Sequence, residues 1–464
     1  MKIENVRSSS SIFYLVFASI LALTSYLVIK LNNLSLWGDE LWLLYYLNFD
    51  YLDLLKPGFL EDPNYPTSII FFKSLSDLLN LTGPYHLVWA NLLNLSLILF
   101  SGYLIRKLFR FQELILFLSL IFCNEYFIRT FFELKSGGLI LGLSSIFSAF
   151  FLINIFSKGK KGTYPALIIG SVLSLIHAFS GLFVTLCYFL MFFNIKGKKK
   201  YWLILFLFIP LAMVLLFSNR EINDWHLALS FKHIVNTGGF MVPVVSLIIL
   251  SLFQGFSDNF RLLIKNIPLI LPVIFSLIII FLYSYFVMPI FQARYLITFL
   301  PLVCLYFLIC NQNYFEKNKL FLIIICFLSA LLFYGPRSAV PYTNFEHLIT
   351  ESHKEVCQKE PIFFNNVQSG VKIYFKKVYE TASVIYSPEF QRTLVPYAEV
   401  LDTFNFNSKC DVIGISGQGP ETVFKSQLIN DINIENVEIS SRLADGCNKS
   451  GCGVIWYIDQ LSLE

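Results

Sequence analysis

Charge is scarce in this chain. Only 14% of its 464 residues are Asp, Glu, Lys or Arg, where a soluble domain carries roughly 25%. With 56% hydrophobic residues, it cannot cover itself with a hydrated surface, which excludes a soluble globular protein. Nucleotide-driven chemistry is excluded by a second absence, since there is no phosphate-binding P-loop and no dinucleotide fingerprint. There is likewise no GxSxG elbow and no HExxH zinc helix. Neither CxxC pairs nor Cys/His metal spacings occur, which argues against a structural zinc site. Internal repeats and low-complexity segments are missing too.

What is present is a series of long apolar runs. A bilayer is crossed by about 20 helical residues, and continuous rather than alternating hydrophobicity selects helices over a barrel. The pattern predicts about eleven spanning helices. They lie near Ser11–Lys30, His86–Leu108, Gln112–Phe132, Gly137–Phe156, Tyr164–His177, Ser180–Phe193, Tyr201–Phe217, Thr237–Phe253, Ile267–Val287, Tyr295–Cys310 and Lys319–Gly335. The first run lacks a small-residue cleavage site, so it reads as a retained span and not a signal peptide.

Residues 164–193 fit either one long tilted helix or two short ones turning near Ser180–Gly181. Basic residues arbitrate, because short cytoplasmic loops collect them. They cluster at Lys2 and Arg7; at Arg106, Lys107 and Arg110; and at Lys158, Lys160 and Lys161. Further clusters are Lys196, Lys198, Lys199 and Lys200; Arg261 with Lys265; and Lys317 with Lys319. All fall on one side only if 164–193 is a hairpin. That reading predicts a multi-pass protein of the inner (cytoplasmic) membrane with a cytoplasmic N-terminus. With the basic residues assigned to topology, no nucleic-acid partner is expected, whereas membrane lipids are.

The outer face then holds the first loop, residues 31–85, and the tail, 336–464, outside a membrane domain of residues 1–335. The loop is acidic and apolar at once, so Leu41–Leu55 and Thr67–Leu79 read as helices lying in the membrane interface. The tail has short β-prone segments, Pro361–Asn365, Val371–Phe375, Asp411–Ile415 and Gly453–Ile458, separated by Gly, Asn and Ser. They predict a small mixed α/β extracytoplasmic domain. Cys357, Cys410, Cys447 and Cys452 all lie in it, and an even number in an oxidising compartment marks them as disulfide candidates. Cys447–Cys452 is the easiest closure.

Several polar residues stand at the predicted outer ends of the spans. Asp39 and Glu40 sit in Trp37-Gly38-Asp39-Glu40-Leu41-Trp42. Such a pair is costly against a membrane unless hydrated or in use; Asp39 also suits a helix N-cap. Glu125, Arg129 and Glu133 recur every four residues, followed by Lys135. They form either a self-neutralising ladder on one helix face or the wall of a polar cavity. Arg294, in Gln292-Ala293-Arg294-Tyr295-Leu296, breaks the inside bias. It either snorkels beside its aromatic neighbours or holds a phosphate through paired guanidinium hydrogen bonds. His177, alone at the turn of the hairpin, is a packed residue or a ligand. No span carries a charge near its centre, which weighs against an ion-coupled transporter.

In order and sidedness these segments resemble the GT-C fold membrane glycosyltransferases. They are most similar to the protein O-mannosyltransferase and lipid A aminoarabinose transferase-like family (glycosyltransferase family 39-like). Trp37-Gly38-Asp39-Glu40 resembles that family's Asp-Glu after the first span. Asp62-Pro63-Asn64-Tyr65-Pro66 stands where its members have His-Pro-Pro, and here the His is absent. Glu133-Leu134-Lys135-Ser136-Gly137 is similar to Glu-x-Arg-Pro-Tyr, with Lys and Ser replacing Arg and Pro. Arg294-Tyr295-Leu296, with Pro301 following, resembles the family's Arg-Tyr-Leu and later Pro.

The resemblance covers residues 1 to about 335 and implies a transferase using a polyprenyl-phosphate sugar donor and a lipid, glycan or protein acceptor. It implies Asp39 as general base, and Glu40 as an acceptor-positioning or cation-ligating residue. Arg294, Lys135 and Arg129 would hold the donor phosphate. Glu125, Glu133, Asn64, Tyr65, His177 and Tyr295 would line the cavity. Some relatives use a divalent cation, for which Asp39 and Glu40 are the candidate ligands. The rival from another class is a lipid or glycan flippase, which predicts breaks repeated in two halves of the chain; no such symmetry is visible.

Overall fold

The computed structural model describes residues 47, 50–55, 66–80, 85–106, 108–109, 111–122, 136–218, 256–286 and 296–310, together with five strands in the tail. The expected spans Ser11–Lys30, Thr237–Phe253 and Lys319–Gly335, the strand Val371–Phe375 and the four tail cysteines lie outside the described residues. The chain divides into two compact units. One takes residues 1–29 and 85–338, the other 30–84 and 339–464.

In the second unit, helix α1 (Pro66–Leu79) opens on a proline, whose missing N–H is no loss at the first helical position. It ends at Asn80, which adopts the left-handed conformation with φ of 49°. Ahead of it, the described end of the expected Leu41–Leu55 helix is a single 3-10 turn, Asp53–Leu55. Strands β1 (Ile362–Asn365), β2 (Val384–Ile385), β3 (Val412–Ser416), β4 (Val437–Leu443) and β5 (Val454–Gln460) form one mixed sheet in the order β2-β1-β3-β5-β4. The β1–β2 and β1–β3 pairs are parallel, while β3–β5 and β4–β5 are antiparallel. Three strands overlap the expected segments. The two unanticipated ones, β2 and β4, form the edges. β4 alternates Val437, Ile439 and Leu443 with Glu438, Ser440 and Arg442. Its charges suit an exposed edge and suppressed its apolar signal.

The first unit is helical: α2 (Tyr85–Ile105), α3 (Phe111–Phe122), α4 (Ser136–Phe156), α5 (Thr163–Ile176), α6 (Ala178–Asn194), α7 (Lys199–Ser218), α8 (Phe256–Phe286) and α9 (Leu300–Cys310). A 3-10 turn, Ile297–Phe299, runs directly into α9. Two described stretches, Ser136–Phe156 and Ile264–Phe286, are long and apolar enough to cross a bilayer. α8 starts eleven residues before the expected Ile267. Its 31 residues span about 46 Å at 1.5 Å per residue, longer than a hydrocarbon core. The extra turns hold Asp258, Arg261 and Lys265, whose charges hid them from an apolar-run search.

α4 is the central helix, buried from Gly138 through Ala149, and all of α9 is buried as well. The outward residues of the peripheral helices are large and apolar, among them Phe189, Phe193, Phe208, Ile278, Leu282 and Phe286. An exposed surface of that kind suits lipid and not water. Because lipid gives apolar side chains no drive to hide, contact between helices comes from close packing at small residues. A Cβ added to Gly142 would lie 2.9 Å from Leu97 of α2. One added to Gly170 of α5 would lie 2.5 Å from the Tyr188 hydroxyl and 2.8 Å from Phe147.

Residues 163–194 fold as two helices running antiparallel. Gly170 of α5 meets Val184 and Tyr188 of α6, and Ser174 meets Gly181. The Tyr188 hydroxyl donates to the Leu167 carbonyl at 2.6 Å. α4 and α6 run parallel, because Phe147 meets Phe183 and Tyr188 while Gly159, just past α4, meets Asn194 and Ile195.

Replacing Gly170 with Ala is expected to destabilise by about 1–3 kcal/mol, as overpacking does. Gly102→Ala, whose Cβ would meet only Leu118 at 3.8 Å, should instead stabilise by about 0.4–1 kcal/mol, as an unclashed Gly→Ala in a helix does. Thermal unfolding of the detergent-solubilised variants compares them directly.

Candidate functional site

His177 is the one sequence-selected site residue among those described, and it sits at the break between α5 and α6. Its backbone is extended, with φ of −152° and ψ of 124°, so helical hydrogen bonding cannot pass through it. The Ser180 N–H points at its Nδ1 at 3.4 Å, and the Ser180 hydroxyl lies 3.0 Å from the same atom. An imidazole nitrogen accepting from a backbone N–H bears no proton, so the neutral ring carries its hydrogen on Nε2. His177 thus acts as the N-cap of α6, three residues earlier than the expected turn at Ser180–Gly181. The ring is 93% buried and stands edge-on to Phe179 at 5.2 Å.

Below this cap an aromatic column joins three elements. Phe147 of α4 packs on Phe183 of α6 with ring centres 5.8 Å apart, and Phe183 packs on Phe299 of the 3-10 turn at 5.4 Å. Each element follows a sequence-selected residue. α4 begins one residue after Lys135, α6 one residue after His177, and the described segment opening at Leu296 one residue after Tyr295. The column fixes those three elements to each other in one rigid, apolar contact set. Asp39, Glu40, Asn64, Tyr65, Glu125, Arg129, Glu133, Lys135, Arg294 and Tyr295 themselves lie outside the described residues.

Two polar features were not anticipated. In the first unit, Asn94 of α2 is 1% exposed, and its amide nitrogen and oxygen make no hydrogen bond among the described residues. Leu97, three residues on and therefore on the same face, is the residue that meets Gly142. A buried primary amide without partners is costly and offers two donors and an acceptor to whatever polar group reaches it. Its signal in the sequence was the pair Asn91 and Asn94 inside a predominantly apolar span.

In the second unit, Lys73 on α1 anchors the segment that precedes the helix. Its ammonium donates to the Leu47 carbonyl at 3.0 Å, pairs with Asp77 at 3.5 Å, and lies 5.1 Å from the centre of the Tyr51 ring. The Tyr51 hydroxyl donates to the same Asp77 carboxylate at 2.8 Å. Lys73 is itself mostly buried. The i, i+4 spacing of Lys73 and Asp77 was legible; the partner twenty-six residues away was not.

No family model matches the chain, and no curated protein matches it in sequence. Solved structures do share its fold. ArnT from Cupriavidus metallidurans in the apo state superposes with a TM-score of 0.56 at 11% identity, over 97% of this chain and 98% of that one. The form of ArnT bound to undecaprenyl phosphate superposes at 0.55 and 11% identity, over 98% and 99%. At such identity the likeness is one of fold, and it extends over almost the full length of both chains. The fold resemblance expected from the motifs is therefore borne out.

Loss of the cap in His177→Ala is expected to destabilise by about 1 kcal/mol, while His177→Asn, a good N-cap, restores most of that. Unfolding midpoints measured beside activity separate capping from ligand binding. A cap alone predicts that the Asn variant recovers both.

Proposed function

We propose that this protein is a membrane glycosyltransferase that moves a sugar from a polyprenyl-phosphate-linked donor to a lipid, glycan or protein acceptor on the outer side of the cytoplasmic membrane. The observation that carries this reading is the near full-length fold likeness to ArnT, one of whose structures holds undecaprenyl phosphate. The four sequence segments that resemble the GT-C transferases support it independently of that likeness.

In this reading Asp39 is the general base. It takes the acceptor hydroxyl's proton as the oxygen attacks the anomeric carbon. An ordinary carboxylate suffices, because proton transfer late in an oxocarbenium-like step needs no strong base. Glu40 orients the acceptor. Arg294 holds the departing lipid phosphate through paired hydrogen bonds, which a planar guanidinium makes and an ammonium does not; Lys135 and Arg129 add positive charge. The C–O bond to phosphate breaks as the bond to the acceptor oxygen forms on the opposite face, so the anomeric centre inverts. Glu125, Glu133, Asn64, Tyr65, His177 and Tyr295 border the cavity. If a divalent cation takes part, Asp39 and Glu40 are the residues that would hold it, and it would supply further charge for the phosphate.

Asp39→Asn is expected to lower kcat by about 10²–10⁴-fold, the usual contribution of a general base, with donor binding retained. Arg294→Ala should weaken donor binding and slow transfer together. Both are read by transfer from a synthetic polyprenyl-phosphate sugar to extracted acceptor lipids or glycans using purified protein. Wild-type rates in both variants would overturn these roles.

A further inference from the structure

Between Ser136 and Ser218 the sequence contains no Asp or Glu, and its charged residues are Lys158, Lys160, Lys161, Lys196, Lys198, Lys199 and Lys200. The fold gathers all of them at the end of the helices opposite His177. Two loops, 157–162 between α4 and α5 and 195–198 between α6 and α7, carry five of them, Lys199 and Lys200 open α7, and the loops touch. Lys199 reaches across and donates to the Gly159 and Lys160 carbonyls, both at 3.1 Å. A Cβ on Gly159, where φ is +74°, would lie 2.8 Å from the Asn194 carbonyl oxygen. Only glycine fits that contact.

Neither loop is a loose basic tail. The Gly159 N–H donates to the Asn154 carbonyl at 2.9 Å, and the Lys161 N–H donates to the Ser157 hydroxyl at 2.9 Å. The Asn154 side-chain amide donates to the Thr163 hydroxyl at 2.8 Å. Lys158 itself holds a left-handed backbone, with φ of 52°. From this frame Lys158, Lys160, Lys161, Lys196 and Lys198 project into the exposed surface. None of the five forms an ion pair among the described residues. Lys199 and Lys200 are half-buried; Lys199 is occupied by the two carbonyls and Lys200 stands over the Phe192 ring at 4.4 Å. Beside the lysines the exposed side chains are Tyr164, Tyr201 and Trp202, the aromatic types that settle at the headgroup level of a bilayer.

We propose that this two-loop face is a binding site for anionic phospholipid headgroups in the leaflet it meets. Five exposed ammonium groups on two touching loops, without ion pairs among the described residues, repel one another, and an array of lipid phosphates relieves that repulsion. Charge complementarity and the aromatic rim select a membrane-embedded anion over a soluble one. Orientation of the chain during insertion needs only the count of lysines in each loop. It does not need a cross-brace between loops or fixed turns, and those features form a preorganised site. The inference does not rest on the sugar-transfer reading.

The test uses purified full-length protein in a non-ionic detergent, titrated with phosphatidylglycerol or phosphatidylcholine, with bound lipid counted by native mass spectrometry. Wild type is expected to retain phosphatidylglycerol at least several-fold better, with retention falling as NaCl rises and unaffected by millimolar inorganic phosphate. Lys158→Gln/Lys160→Gln/Lys161→Gln should lose that preference, and the corresponding triple Arg variant should keep it. Equal retention of both lipids by wild type overturns the proposal without reference to any variant, so a Gln variant that inserts wrongly does not shelter it. Undiminished preference in a correctly folded Gln variant overturns it as well. Displacement of phosphatidylglycerol by inorganic phosphate would identify a free-anion site instead and equally end the lipid assignment.

Discussion

Hydrocarbon offers no hydrogen bonds, so every polar group a helix carries into it must find its partner within the protein. That constraint shapes the heart of the helical unit. The Tyr188 hydroxyl finds its acceptor in the Leu167 carbonyl. It reaches that carbonyl because Gly170 has no side chain in the way. Ser145 of α4 and Ser174 of α5 donate back one turn, to Leu141 and Gly170, whereas the Ser148 and Ser171 hydroxyls have no partner among the described residues. With those hydrogen bonds made, α4, α5 and α6 approach closely enough for Phe147 to contact Phe151, Phe183 and Tyr188. Asn94 is the described exception whose whole amide is left over, and a group so expensive to leave unpaired stands out in an otherwise well-satisfied span.

The same packing gives the helices two chemically different ends. At one, His177 interrupts the backbone and caps α6. At the other, two glycine-bearing loops interlock and display lysines. No acidic residue lies between the ends, so nothing within the 136–218 stretch neutralises the lysines. The described helices of this stretch thus carry their charge at one end only.

Legibility in the sequence tracked how local each signal was. The apolar runs located α2, α4, α5, α6 and α7 to within a few residues, since a span's length and hydrophobicity are properties of the run itself. The charge count settled 164–193 as two helices, and the structure has two. The break falls at His177, the residue expected at the turn, and α6 starts two residues before the expected Ser180 because a ring nitrogen meets the Ser180 backbone N–H. α8 began earlier than expected because its first turns are polar. In the tail, β1, β3 and β5 were visible as short β-prone segments. β4 was not, since its alternation is masked by Glu438 and Arg442. The Lys73–Leu47 tie and the Lys199 brace across two loops joined residues 26 and 40 positions apart, which no local pattern encodes.

By itself, the sequence determined that this chain belongs in a membrane and where the apolar runs of its described helices lie. Those are sums over composition and short-range spacing. Tertiary structure alone decided that Phe147, Phe183 and Phe299 lock three helical elements together, that His177 serves as a cap, and that two separate lysine runs become one surface. Each of those depends on distances between residues far apart in the chain, and such distances exist only once the helices have packed.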